Sequence, residues 1–199
     1  MNALRRSTTS ALTRRTFLIC AALALLTFAL YSRALRFPFI TYDDRLYVSE
    51  NPHVLTGLNW SNFVWAFTTW HTGNWHPLTW LSLMLDAQLF GNSASGFHLT
   101  NVLLHTANAV LLFLILRQFT GSQWRSAFVA ALFALHPVHV ESVAWISERK
   151  DVLSAFLFLL ALGAYGRYAR QPTPTRYASV ALFFVFGLLA KSIDRKSVV

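Results

Sequence analysis

The stretch 98-HLTNVLLHTANAVLLFLIL-116 decides the fold. Its length and apolar content suit a helix that crosses a bilayer, which takes about 20 such residues. Two histidines and two asparagines interrupt it: His98, Asn101, His105 and Asn108. Their 3-4-3 spacing puts all four on one helical face. Polar groups at that depth are costly unless they meet other helices or a wet cavity. The segment therefore reads as a member of a bundle rather than a lone anchor. Two readings of the stripe stay open: interhelical hydrogen bonds that pack the bundle, or the lining of an internal cavity.

Four further apolar blocks extend the pattern, at about 16–35, 126–143, 152–168 and 177–190. The third is short and turns polar after Leu135; the fifth is also short. The composition agrees, with 55% hydrophobic and only 13% charged residues against about 25% charged in soluble domains. The fold class expected is all-α integral membrane, a multi-span helix bundle. The net charge of +9 does not gather into one patch, so it speaks for topology and against nucleic acid as a partner. The single cysteine, Cys20, lies inside the first block, which leaves no disulfide within the chain.

Basic residues set the orientation. Arg5, Arg6, Arg14 and Arg15 precede the first span and place the basic N-terminus, 1–15, in the cytoplasm. With five alternating spans, Arg117, Arg125, Arg167, Arg170 and Arg176 fall on that same side. Asp43, Asp44, Glu50, Asp86, Glu141, Glu148 and Asp151 all fall on the other. A cleaved signal peptide does not fit, because no small-x-small site follows the first block.

The outer loop, 36–97, is polar yet aromatic. Trp60, Phe63, Phe67 and Trp70 share a helical face, and 77-PLTWLSLMLDAQLF-90 has proline at its start and Gly91 just past its end, as helices favour. Both segments read as helices in the membrane interface. A small loop domain with its own aromatic core is the alternative. Within the second helix Thr79, Ser82 and Asp86 form a thin polar stripe.

Candidate chemistry gathers on the outer side. Asp43 and Asp44 stand side by side in 37-FPFITYDDRLYVSENPHV-54. A carboxylate there suits a general base that takes a proton from an attacking hydroxyl; an exposed acidic turn is the other reading. The adjacent pair also permits a divalent metal, though no certain cofactor or metal site follows. His136, His139 and Glu141 lack the His-Glu-x-x-His pattern of zinc enzymes. Arg149 and Lys150 read as phosphate binders, since arginine makes forked bonds to phosphate oxygens; interfacial snorkelling is the alternative. His76 precedes Pro77 at a helix entry.

Taken in order, YDD, NWHPLTWLS.MLD..LFG, H..N.LLH..NA, W.SAFVAALFALHPVHVESVAWISERKDVLS and GLLAK resemble the transmembrane, tetratricopeptide-repeat-containing O-mannosyltransferases in bacterial form. These are GT-C glycosyltransferases, and the likeness covers about residues 30–192. The resemblance implies a GT-C bundle at 16–193 in a bacterial inner membrane, with its site extracytoplasmic. It implies an inverting transfer of mannose or a similar hexose from a polyprenyl-phosphate donor to a protein or peptide Ser/Thr hydroxyl. Asp43 and Asp44 would be the catalytic pair, Arg149 and Lys150 the phosphate ligands. His76, His98, Asn101, His105, His136, His139 and Glu141 would line the substrate cavity. Tetratricopeptide repeats are expected downstream, and DRKSVV at 194–199 reads as a non-native tail from an adapter translated in frame. On that reading this N-terminal piece is inactive by itself. A non-catalytic membrane anchor for a repeat module is the alternative function.

Overall fold

The computed structural model describes residues 2–191, so the reading of 194–199 lies outside the described residues. The described chain is an all-α bundle. Three of its helices are long and apolar enough to cross a membrane: Thr13–Arg36, Ala94–Thr120 and Arg149–Arg170. Residues Phe17, Leu25, Leu26, Phe184 and Val185 project outward without protein cover, as lipid-facing side chains do.

In chain order α1 (Asn2–Tyr31) runs into a 3₁₀ turn at Ser32–Arg36. The outer segment follows, with a π-type turn at Arg45–Ser49 and short helices α2 (Pro52–Leu55), α3 (Trp60–Thr68) and α4 (Pro77–Phe90). Next come α5 (Ala94–Thr120), α6 (Gln123–Leu135), α7 (His139–Ala144), α8 (Arg149–Arg170) and α9 (Pro174–Ala190). The long α5, whose 27 residues span about 40 Å, is the central post against which α1, α4, α6 and α8 pack. α8 and α9 form a tightly packed hairpin.

The third apolar block is not one helix. α6 stops at Leu135, and α7 begins only at His139. The cause is Pro137, which drives His136 into an extended conformation (φ −68°, ψ 130°), as residues before proline prefer. α6 has 13 residues, about 20 Å of helix, less than the roughly 30 Å of a bilayer's hydrocarbon core.

Gly166 of α8 lies against the Phe119 ring of α5. A Cβ there would lie 2.4 Å from the Phe119 ring, so no larger residue fits without displacing it.

The 36–97 segment has an apolar core, as the loop-domain reading expects. Trp80, Leu83, Met84, Val48, Val54 and Phe97 are fully buried and form a core of its own. Meanwhile α3 turns Trp60 outward at 77% exposure, stacked on Phe63 (5.5 Å), which meets Phe67 (4.9 Å). Pro77 does open α4, and Gly91 at φ 61° closes it, a left-handed value that favours glycine. One face of α4 is buried, including Thr79, Trp80 and Asp86, and Leu89 on the other is exposed.

Candidate active site

The two aspartates stand just before the π-type turn that follows the first span, Asp44 at its N-cap, and their environments differ. Asp44 is buried. One carboxylate oxygen accepts the Ile40 N–H and the other the Ser147 N–H, both at 3.0 Å. Asp44 therefore clips the outer segment to the loop between α7 and α8. Asp43 is half-buried, and among the described residues no hydrogen bond or ion pair engages its carboxylate. A partly shielded, uncommitted carboxylate is what proton abstraction needs.

Arg149, expected to meet a phosphate, is instead spent inside the protein. It is fully buried. Its guanidinium donates to Asp86 Oδ2 (2.6 Å), the Phe97 carbonyl (2.8 Å), Ser82 Oγ (2.8 Å) and Asn101 Oδ1. Four donated bonds nearly exhaust the fork's five N–H groups. The thin polar stripe of α4 is thereby explained: Ser82 and Asp86 serve Arg149, and Thr79 donates to the Ala190 carbonyl at the end of α9 (2.7 Å). Burial pushes the Asp86 carboxyl up, against the opposing pull of Arg149 and Thr100.

Lys150 pairs with Glu148 at 2.9 Å and its ammonium lies 5.6 Å from the centre of the Tyr47 ring, within cation–π range. His76 sits between Tyr47 (5.6 Å) and Trp80 (4.8 Å). Its Nε2 is buried with no hydrogen-bond partner. Burial, with Lys150 and His71 nearby, pushes its pKa down to about 3, so the imidazole is neutral at physiological pH. It is no acid there, only a polar group facing an aromatic wall.

The α5 stripe divides along its length. His98 is fully buried, edge-on to Phe37 (6.3 Å), with the Asp44 carboxylate and the Phe37–Pro38 backbone as polar neighbours. Asn101 bonds to the Trp145 carbonyl (2.8 Å) and to Arg149. His105 reaches the Ala134 carbonyl through Nε2 (3.2 Å), and Asn108 donates to the Val152 carbonyl (2.9 Å). Packing thus accounts for Asn101, while His105 and Asn108 both pack and line a cavity.

That cavity, about 570 Å³, lies among α5, α7, α8 and α9. His139 is on its wall, its ring 5.5 Å from that of His105 and 4.5 Å from Phe133. Burial and the neighbouring His136 hold His139 below its ordinary pKa. Asp151 and Lys191, paired at 2.5 Å, also border it. Of the other expected cavity residues, His136 and Glu141 are exposed, and they, His76, His98 and Asn101 do not line this space. Among the described residues no group of three or more His, Cys, Asp or Glu is arranged to hold a metal ion. Sequence reasoning missed Asp86, Asp151 and Lys191 as partners, because 63 residues separate the first from Arg149 and 40 residues separate the other two.

Comparison with known proteins adds a second line. The chain is similar to protein O-mannosyl-transferases. It is 36% identical over 165 residues to Protein O-mannosyl-transferase Tmtc2 of Drosophila melanogaster, covering 78% of this chain and 17% of that protein. To Protein O-mannosyl-transferase TMTC1 of Mus musculus it is 38% identical over 150 residues, covering 71% and 16%. The human TMTC1 is 35% identical over the same length. The chain thus spans less than a fifth of the length of these relatives. No protein-family model matches it, and no solved structure does.

Proposed function

We propose that this chain is the N-terminal part of a GT-C-type membrane glycosyltransferase. It moves a mannose-like sugar from a polyprenyl-phosphate donor to a Ser/Thr hydroxyl of a protein at the extracytoplasmic face. The N-terminus lies in the cytoplasm. The observation that carries this reading is the uncommitted, half-buried Asp43 carboxylate beside the clipped Asp44. The similarity to enzymes named O-mannosyl-transferases supports it.

Asp43 takes the proton of the acceptor hydroxyl while that oxygen attacks the anomeric carbon from the face opposite the phosphate. The carbon–oxygen bond to phosphate breaks, the prenyl phosphate leaves, and the anomeric centre is inverted. A cation that meets the leaving phosphate stabilises the charge that develops on it. Asp44 holds the turn in register, so Asp43 keeps its position when substrate binds.

The test is Asp43→Asn in the full-length protein, assayed in membranes for transfer of labelled mannose from a polyprenyl-phosphate donor to a Ser/Thr peptide. Loss of a general base lowers transfer by about 10²-fold or more, with unchanged insertion and thermal unfolding. Transfer within a factor of two of wild type would sink the assignment.

A further inference from the structure

The cavity among α5, α7, α8 and α9 has a direction. At one end stand Asp151 in the first turn of α8 and Lys191 just past the last turn of α9. Phe158 on α8 and Phe184 on α9 line it seven residues further along each helix, about 10 Å deeper by helical rise. Both phenylalanines are more than half exposed, so the deep end opens sideways toward lipid. The space is amphipathic along its length, charged at the rim and aromatic within.

Among the described residues, Lys191 is the one cation that lines this cavity. Its side chain is 48% exposed, and Asp151 is 28% exposed. An ion pair so open to solvent contributes little, so an anion can take the lysine at small cost. Asp151 then keeps the hydroxyl of Ser142, 3.3 Å away. Arg149 offers no such opening, since it is fully buried and held by four acceptors.

We propose that this cavity binds the lipid end of a prenyl phosphate, with Lys191 leaving Asp151 to take the phosphate and the first isoprene units lying against Phe158 and Phe184. The choice of an isoprenoid over other single-chain lipid phosphates rests on the function proposed above. Asp151 parks the lysine while the site is empty. Its own charge then repels the phosphate, which limits affinity and favours release of the spent carrier.

The site is tested with a photoreactive prenyl phosphate that carries no sugar, bound to the purified protein in lipid nanodiscs. Label is expected within 152–158 and 183–188. Lys191→Gln weakens binding about tenfold, the scale of one hydrogen bond to a charged group, and Lys191→Arg restores it. The matching prenyl alcohol competes at least tenfold more weakly than the phosphate. Ala155→Trp, which fills the cavity, removes the label without changing helix content. Label confined to α1 or α3, equal competition by the alcohol, or equal displacement by phosphatidic acid would each overturn the site. Indifference of the label to Lys191→Gln and Ala155→Trp, with transfer still abolished by Asp43→Asn, overturns the cavity alone. Label at the expected peptides, with transfer surviving Asp43→Asn, overturns the general base alone.

Discussion

Replacing Arg149 by methionine separates a structural arginine from a substrate-binding one. Methionine keeps much of the side-chain volume and removes the charge. Asp86, 2.6 Å from the lost guanidinium and only 4% exposed, is then a buried carboxylate with Thr100 as its remaining side-chain partner (2.8 Å). Breaking a buried ion pair from one side costs about 3–5 kcal/mol, and the carbonyl of Phe97 and the amide of Asn101 lose a donor as well. For a chain of this size that corresponds to roughly 10 °C in thermal midpoint. The double variant Arg149→Met/Asp86→Leu removes both charges and recovers most of the loss, since an apolar pair of similar volume is often neutral or better. The measurement is a double-mutant cycle on thermal unfolding in one detergent, followed by intrinsic tryptophan fluorescence. A coupling of about 2 kcal/mol or more is expected. A midpoint within 2 °C of wild type for Arg149→Met would refute the buried network and return the arginine to the donor phosphate.

Other perturbations give further tests. Asp44→Ala strips an acceptor from two backbone N–H groups, so it destabilises by about 2–4 kcal/mol, whereas Asp43→Asn shifts the unfolding midpoint by less than 2 °C. For His76 the folded pKa of about 3 lies below the unfolded 6.5. Its contribution is therefore whole above pH 6.5 and is lost as pH falls toward 3, amounting to about 2 kcal/mol between pH 7 and 5. His76→Phe should flatten that part of the pH–stability curve, and an unchanged slope would count against a neutral buried imidazole. Gly166→Val drives a side chain into Phe119 and should cost about 1–3 kcal/mol in unfolding measurements, while Gly91→Ala meets no atom within 4 Å and bears only the cost of a φ 61°, ψ −149° backbone, a region nearly confined to glycine, about 1–3 kcal/mol.

The bundle was legible because membrane helices announce themselves locally. The 98–116 run, the proline at 77 and the glycine at 91 each act within a turn or two of their own position, and α4 and α5 appear where those signals put them. The break after Leu135 departs from the sequence reading of 126–143 as one apolar block, although Pro137 acts only on its immediate neighbour. Arg149 was misread because its fate depends on Asp86, Ser82 and Asn101, which come from two other helices. An arginine at the outer end of a span looks the same in sequence whether it faces a ligand or a buried carboxylate. The pair Asp43 and Asp44 shows the same limit more finely: adjacent, chemically identical residues are told apart by the local amide of Ile40 and by one that arrives from Ser147.

That amide also imposes an order on biogenesis. Asp44 and Ser147 are 103 residues apart, and Thr79 waits 111 residues for the carbonyl of Ala190. At a synthesis rate of about 5–20 residues per second, roughly 5–20 s pass between the synthesis of Asp44 and that of Ser147, and about as long again between Thr79 and its partner. On the proposed topology, the exposed Trp60 and the rings stacked beside it give the unfinished segment a face suited to the membrane surface through that interval.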